Sequence, residues 1–241
     1  MSEVRNRDVM MPSNGICVRT LKLGMVACLL AVGGCASGPI PRSPSASLLQ
    51  SQPAERLEDV HVIFVESPAD LGHWGRLEEV CCSLRRLGLH NAVYFEPIVD
   101  GCSCDLANYV RNIRVENPDS RIMLVGWSMG ALYVRDALIA LDDCCEGVET
   151  VVYLDSGFLT LGDYVGLPHP DNADRVVLIY RSHQSPPGCI PNSVVQCVDS
   201  FFHLPVAHHP DTVDSIVQEA FTLSTGDQSM APLFGMTHSL H

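Results

Sequence analysis

The feature that most constrains the fold is an alternation of short apolar segments with longer segments that are apolar along one face only. Strands that are apolar on both faces belong in a parallel sheet covered by helices on each side. The sequence therefore predicts an α/β fold, a three-layer sandwich around a mainly parallel sheet of about six strands. The predicted strands are His61–Val65, Ala92–Phe95, Ile122–Val125, Val151–Leu154, Val176–Tyr180 and Ser193–Val198.

Helices are predicted between these strands, where apolar residues recur every three or four positions. The helical segments cover 77–87, 106–113, 134–141 and 213–220. In an open parallel sheet the functional site lies beyond the carboxyl ends of the strands. The connection 156–175 has no amphipathic helix, so no sizeable cap domain is expected.

The first 34 residues have the pattern of an export signal. Arg19 and Lys22 precede an apolar run over 23–32, and two glycines lead to Cys35. The run is too short to span about 30 Å of hydrocarbon comfortably. The four residues that end at Cys35 resemble the lipobox of bacterial lipoproteins. That resemblance implies cleavage before Cys35, lipid on this residue and a membrane-anchored place in the cell envelope; plain secretion and a retained anchor are the alternatives.

The rest of the chain divides by composition. Residues 35–57 are rich in Pro, Ser and Ala and have no apolar period, so a flexible tether is predicted there. The folded domain is predicted over 58–225. Residues 226–241 form a tail with no pattern.

Charge excludes several functions. Twenty-eight acidic residues stand against 15 Lys and Arg, which gives a formal charge of −13. Such a surface repels a phosphate backbone, so no nucleic-acid partner is expected. Lys22 is the only lysine, which removes P-loop and Schiff-base lysines from the folded domain.

Eight cysteines follow Cys35, and an even number in an exported chain favours disulfides. Their arrangement in two adjacent pairs and one C-x-C is unusual for a disulfide framework, and their connectivity is not deducible. The sequence contains no C-x-x-C or H-x-E pattern, so no metal ion is expected. No organic cofactor is expected either.

One motif carries chemistry. Gly126-Trp127-Ser128-Met129-Gly130 is a G-x-S-x-G pentapeptide that directly follows a predicted strand and opens a predicted helix. This strand–turn–helix setting is what a nucleophile elbow requires. The glycines leave room for a sharp turn, and the helix N-terminus favours developing negative charge. Ser128 is therefore the candidate nucleophile, and an idle serine in a glycine-rich turn is the alternative.

With this motif the chain resembles the α/β-hydrolase superfamily, lipases and esterases in particular. The resemblance implies the order serine, acid, histidine, hydrolysis through an acyl-enzyme, and the Met129 amide as one oxyanion donor. After the first strand the chain differs from that pattern, because Glu66-Ser67-Pro68 stands where many hydrolases have His-Gly. Ser67 and the loop 71–74 are the candidates for the second donor. Glu66 would place negative charge near the oxyanion.

The candidate acid must lie at the carboxyl end of a strand. Asp155 ends the fourth predicted strand, an arrangement that some lipases resemble. Asp199 ends the sixth strand and is the alternative, although it lies only four residues before the candidate histidine. Asp171 and Asp174 precede the fifth strand and so lie at the wrong edge of the sheet.

The candidate general base must lie on the loop after the last strand. His203 follows the sixth predicted strand directly, and similar hydrolases place their histidine several residues before the closing helix. His208 and His209 compete with it. They are adjacent to Pro210, where polar residues at a helix entrance are an alternative explanation.

These residues together predict a lipid-anchored serine hydrolase that cleaves small-molecule carboxylic esters, thioesters or related acyl compounds. Two alternatives stay open. One is a catalytically silent envelope lipoprotein of hydrolase fold that binds a partner, and the other is an acyltransferase that uses the same serine. Neither the acyl group nor the oligomeric state can be predicted.

Overall fold

The protein is described by a computed structural model that covers residues 42–142, 144, 146–157, 169–184, 190 and 193–226. Its elements, in chain order, are α1 (Ala46–Gln50), α2 (Ala54–Glu58), β1 (Val60–Val65), α3 (Leu77–Arg86), β2 (Ala92–Phe95), α4 (Pro97–Asp100), α5 (Ser103–Glu116), β3 (Arg121–Trp127), α6 (Gly130–Asp142), β4 (Val148–Leu154), β5 (Ala173–Arg181), β6 (Ser193–Val198), a 3₁₀ turn (Leu204–His208) and α7 (Pro210–Thr225).

The strands form one sheet in the order β2-β1-β3-β4-β5-β6, and every neighbouring pair is parallel. The predicted parallel sheet with helices on both sides is confirmed. All strands therefore end at one edge of the sheet, which we call the carboxyl edge. The connection between β4 and β5 spans only 155–172, which is too short for a cap domain.

Two apolar cores lie on opposite faces of the sheet, because alternate residues of each strand point to opposite sides. On one face, α1, α2, α3 and α7 cover residues such as Phe64 and Val125. On the other face, α5 and α6 cover residues such as Ile63 and Leu124. The helix–sheet–helix layers follow directly from strands that are apolar on both sides.

The prediction of a flexible tether up to residue 57 is wrong for its second half. Helices α1 and α2 lie within it, and the side chains of Leu49 and Leu57 are buried in the core beneath α7. The Ser43 hydroxyl and the Ser45 amide donate hydrogen bonds to Oδ1 of Asp214, at 2.6 and 2.8 Å. Burial of two leucines and these polar bonds hold a segment whose local composition gives no helical period.

Several sequence predictions fall outside the described residues. They are the export signal, the lipid site at Cys35 and the tail after residue 226. Within the described part, Cys81, Cys82, Cys102, Cys104, Cys144 and Cys197 are free thiols, so the expectation of disulfides finds no support among them. No helix in this part is long and apolar enough to cross a bilayer.

Candidate active site

Ser128 occupies a sharp turn between β3 and α6. Its φ is 54°, in the left-handed region that a residue with a side chain adopts at a cost of about 1–2 kcal/mol. Glycines on either side permit this turn. A Cβ on Gly130 would overlap the carbonyl oxygen of Val65, and one on Gly126 would lie 2.8 Å from Cα of Ala131. The chain can therefore turn here only with glycine at both positions, which leaves the serine at the carboxyl edge.

Asp155 lies beside this turn, directly after β4. The Ser128 amide donates to the carbonyl of Leu154 at 3.0 Å, and the Asp155 amide donates to Ile179 at 2.7 Å. Asp155 also has a positive φ, 44°, and its carboxylate is buried. Backbone bonds to both neighbouring strands thus fix the position of the carboxylate.

The Asp155 carboxylate has two partners on one oxygen. Nδ1 of His203 lies 2.6 Å from Oδ2, and Nε of Arg181 lies 2.7 Å from the same atom. The guanidinium contact is an ion pair without hydrogen-bond alignment. Oδ1 is buried and has no hydrogen-bond partner among the described residues. The carboxylate orients His203 through one oxygen, while Arg181 offsets part of its buried charge.

His203 lies against Trp127, the residue before Ser128. Its ring stacks on the ring of Trp127, with centroids 5.2 Å apart and planes at 18°. Trp127 is buried and immediately precedes the serine, and Gly75 packs so closely on its ring that a Cβ there would lie 2.5 Å from it. The structure therefore brings the predicted acid and base together and places the base against the residue that precedes the predicted nucleophile.

The competing residues have other partners. His209 caps α7, where its Nδ1 accepts the Asp211 amide. Nδ1 of His208 lies 3.2 Å from the carbonyl of Gly75, and burial lowers the pKa of this histidine. Asp199 is exposed, whereas His203 hydrogen-bonds Asp155. The geometry thus separates the predicted pair from each alternative.

The two predicted oxyanion donors differ in their surroundings. Among the described residues, the Met129 amide has no hydrogen-bond acceptor. The Ser67 amide, in contrast, donates to Oε1 of Glu66 at 2.8 Å. It can reach an oxyanion only if that bond is released.

The loop 71–74 offers a second source of amides. The amides of His73 and Trp74 donate to the carbonyl and the carboxylate of Asp70, at 3.1 and 2.9 Å. In the described structure the amides of Leu71 and Gly72 have no acceptor. Two of the four amides in this loop are therefore unengaged.

Glu66 is a buried acid next to this site. Its side chain is 1% exposed, and Oε2 accepts the Tyr94 hydroxyl at 2.8 Å. Burial raises the pKa of Glu66 to about 7, although the bonds from Ser67 and Tyr94 act in the opposite direction. Nδ1 of exposed His73 lies 3.1 Å from the Tyr94 hydroxyl, which connects the buried acid to the surface.

Sequence reasoning missed three contacts of this site: the Arg181 ion pair, the Trp127 stack on His203 and the Tyr94 bond to Glu66. Arg181 had a usable signal, because it ends β5 and so lies beside the end of β4. The Trp127 stack depends on how the loop after β6 folds, and the Tyr94 bond requires that β2 lie beside β1; the sequence pattern encodes neither. In the described part of the chain, no three His, Cys, Asp or Glu side chains are grouped so that they could hold a metal ion.

Large apolar side chains are exposed on the loops of the carboxyl edge. They are Leu71 and Trp74 after β1, and Phe201 and Phe202 after β6. The two loops meet, since His208 contacts the carbonyl of Gly75. We call these four residues the apolar rim.

No family model matches the sequence, and no curated protein matches it. Among solved structures, the chain is similar to the NocB thioesterase domain from the nocardicin cluster, with 16% identity and a TM-score of 0.46 over 68% of this chain and 95% of that one. It is also similar to a Trichoderma reesei cutinase in complex with a phosphonate inhibitor, with 13% identity and a TM-score of 0.34 over 69% of this chain and 76% of that one.

Proposed function

We propose that the protein is a serine hydrolase that cleaves carboxylic esters, thioesters or related acyl compounds through an acyl-enzyme on Ser128. One observation carries the proposal. His203 is held at 2.6 Å by the buried carboxylate of Asp155 and is stacked on the residue that precedes a serine in a left-handed turn. An oriented base beside a nucleophile on a helix N-terminus is the arrangement that activates a hydroxyl.

The residues divide the chemistry among them. His203 accepts the hydroxyl proton of Ser128 as Oγ attacks the acyl carbon, and the Met129 amide donates to the oxyanion that forms. The protonated histidine then gives its proton to the leaving alkoxide or thiolate, which departs from the acyl-enzyme. A water molecule, deprotonated by the same histidine, attacks the acyl carbon, releases the acid and restores Ser128.

Asp155 stabilises the imidazolium that appears in both steps. Its hydrogen bond to Nδ1 also leaves the other ring nitrogen of His203 to exchange protons with the serine. Arg181 pairs with this buried carboxylate at 2.7 Å and offsets part of its charge. Neither a metal ion nor an organic cofactor enters the proposed reaction.

The substrate proposed is a small molecule with an apolar acyl group. The exposed apolar rim beside the candidate site supports this class, because burying such side chains against an acyl chain is favourable. An apolar cluster in the sequence is a further candidate for the acyl site, with a loop packed on its own side chains as the alternative. It lies outside the described residues and consists of Phe158, Leu159, Leu161, Tyr164 and Val165. We further propose that the chain is exported and anchored to a membrane by lipid on Cys35.

Labelling with a fluorophosphonate probe tests the proposed nucleophile, since the probe reacts only with an activated serine. The parent protein should label, and Ser128→Ala should not. Ser120→Ala is the matched control, because Ser120 is also buried but precedes β3 at the opposite edge of the sheet, and its hydroxyl has no partner in the described structure. Labelling that persists in Ser128→Ala contradicts the assignment.

The bond from the Ser67 amide to Glu66 favours a second candidate, a silent binding protein of the same fold, because it occupies one of the candidate oxyanion donors. A folded parent protein that fails to label would support that candidate. Product analysis with an added acceptor alcohol separates a hydrolase from an acyltransferase, which would form the new ester.

A further inference from the structure

Glu66 is a buried titratable group that the proposed reaction does not use. Both of its carboxylate oxygens are engaged, Oε1 by the Ser67 amide and Oε2 by the Tyr94 hydroxyl, each at 2.8 Å. A buried carboxylate is costly unless it is paired or protonated. Here its partners are an amide and a hydroxyl, so nothing cancels its charge.

Its position relative to the nucleophile follows from the sheet. Val65 pairs with Gly126 in the parallel register of β1 and β3. The next residues, Glu66 and Ser67, therefore run alongside Trp127 and Ser128. The Glu66 carbonyl oxygen also lies against Gly130, where a Cβ would approach it to 2.8 Å. An oxyanion formed at Ser128 thus develops beside the segment that carries this carboxylate.

We propose that Glu66 is a positioning residue for the second oxyanion donor: its ionised carboxylate retains the Ser67 amide and opposes an oxyanion at Ser128, and proton uptake through His73 and Tyr94 releases that amide to the reaction. The inference rests on the proposed function, since it concerns the same oxyanion. A hydrogen bond to a charged acceptor is about twice as strong as one to a neutral acceptor, so protonation weakens the hold on the amide.

The proton reaches Glu66 along a defined path. Exposed His73 takes a proton from water and donates it from Nδ1 to the Tyr94 hydroxyl, 3.1 Å away. Tyr94 passes its own proton to Oε2 of Glu66, and the path ends with a neutral carboxyl group and an intact phenol. No electron moves, and Tyr94 ends as a neutral phenol. His73 takes the solvent proton on Nε2 and gives one from Nδ1, so it ends as the other neutral tautomer and returns to the first by proton exchange with water.

The charged and polar groups around Glu66 determine the pH at which it takes up a proton. Burial raises its pKa to about 7, and the nearby Asp70 carboxylate raises it further, whereas the Ser67 amide, Tyr94 and His73 lower it. Burial raises the pKa of the Tyr94 phenol, and the carboxylates of Glu66, Glu96 and Glu78 raise it further, so the phenol stays protonated. Glu66 therefore changes charge near neutral pH.

The test is the rate of fluorophosphonate labelling of the full-length protein, measured from pH 5 to 9. Ionisation of Glu66 should produce an alkaline limb in which the labelling rate falls about tenfold between pH 7 and 8.5. Glu66→Gln keeps the shape of the side chain and an acceptor for the Ser67 amide but carries no charge. The labelling rate of this variant should therefore change by no more than about twofold between pH 7 and 8.5.

Two further variants make the profile specific. Tyr94→Phe removes a bond that stabilises the ionised carboxylate, so the alkaline limb should move to higher pH. Glu79→Gln removes an exposed carboxylate on α3 and should leave the limb unchanged. Melting temperatures show whether each variant is folded.

A parent profile without an alkaline limb, or a folded Glu66→Gln variant that keeps it, overturns the inference while labelling of Ser128 still supports a hydrolase. Loss of labelling at every pH in the parent is instead the failure of the proposed function itself.

Discussion

At the scale of single residues, the orientation of His203 by Asp155 is the contact on which the proposed chemistry depends most. Asp155→Asn replaces an acceptor with a group that can present a donor to Nδ1, which favours the wrong tautomer of the ring. A change of this kind in a catalytic triad can cost about 10⁴ in rate. We expect a comparable loss in kcat on a short-chain ester, with the fold retained by circular dichroism.

Asp199→Asn is the matched control for that experiment. Asp199 is exposed, so the activity of the Asp199→Asn variant should stay within a few-fold of that of the parent. Loss of activity in this variant with normal activity in Asp155→Asn would reverse the assignment. Alanine substitutions extend the comparison to the candidate general bases. His203→Ala should be inactive, whereas His209→Ala loses a helix cap and should remain active.

Arg181 makes a separate prediction about stability. It forms an ion pair with a carboxylate that is fully buried, and removing one member of such a pair leaves an uncompensated charge at a cost of about 3 kcal/mol. Arg181→Gln should therefore lower the free energy of unfolding by about this amount in urea titrations.

The double variant Arg181→Gln with Asp155→Asn checks the cause of that loss. When both charges are absent, no charge is left unpaired, so the double variant should lose much less than the sum of the single variants. Additive losses would mean that the two side chains do not interact.

Glu66 predicts how stability depends on pH. Its pKa is about 7 in the folded protein and about 4.3 in an unfolded chain. The folded state thus binds more protons, so stability is greatest below about pH 4.5 for this group and is lost as pH rises to 7. The difference corresponds to about 4 kcal/mol. Urea titrations at a series of pH values should show that the free energy of unfolding of the parent falls between pH 4.5 and 7 relative to that of Glu66→Gln. The same pH dependence in both proteins would contradict this prediction.

At the scale of elements, the close approach of α6 to β1 predicts which glycine is indispensable. A Cβ on Gly130 would overlap a backbone carbonyl, which cannot move aside without shifting the strand. Gly130→Ala should cost about 1–3 kcal/mol despite the higher helix propensity of alanine. In Gly157→Ala the new methyl group meets, among the described residues, only the end of the Gln184 side chain, so the melting temperature of this variant should change little.

The strands and long helices could be predicted because they bury apolar residues with a regular period. β2 and β6 have the predicted bounds, whereas β3 and β5 extend by one to three residues past the apolar run. At such ends polar residues such as Arg121 and Arg181 continue the backbone ladder, and the hydrophobic pattern does not mark them. The elbow was predictable for a similar reason, since its glycines are required by local geometry.

Other elements could not be predicted, because they depend on distant partners. Helices α1 and α2 are stabilised by packing on α7, which lies more than 150 residues later in the chain. The ion pair of Arg181 with Asp155 and the bond of Tyr94 to Glu66 require that β5 lie beside β4 and β2 beside β1. Strand order is a property of the whole sheet, and no local pattern records it.

At the scale of the whole molecule, the start of the described chain lies at the same edge as the candidate site. Ser43 and Ser45 bond to Asp214 near the start of α7, and this helix begins just after the loop of His203. If Cys35 carries lipid, the seven residues from there to Arg42 span at most about 24 Å. The carboxyl edge and its apolar rim are then held close to the bilayer.

This arrangement predicts that Trp74 contacts lipid. The chain has only two tryptophans, and Trp74 is 48% exposed whereas Trp127 is 1% exposed, so a change in emission caused by lipid reports on Trp74. In full-length protein reconstituted into phosphatidylcholine vesicles, we expect its emission to shift to shorter wavelength and to be quenched by brominated lipid. Neutral vesicles are the appropriate choice because an acidic chain is repelled by an anionic surface.

Trp74→Phe serves as the control, because it should abolish both the shift and the quenching while the buried Trp127 still emits. The soluble quencher acrylamide supplies the opposite measurement, since lipid contact should protect Trp74 from it. If acrylamide quenches Trp74 equally well with and without vesicles, the apolar rim faces water. The proposed substrate would then have to reach Ser128 from water and not from the bilayer. In that case the apolar rim would bind the acyl chain of a single dissolved substrate molecule.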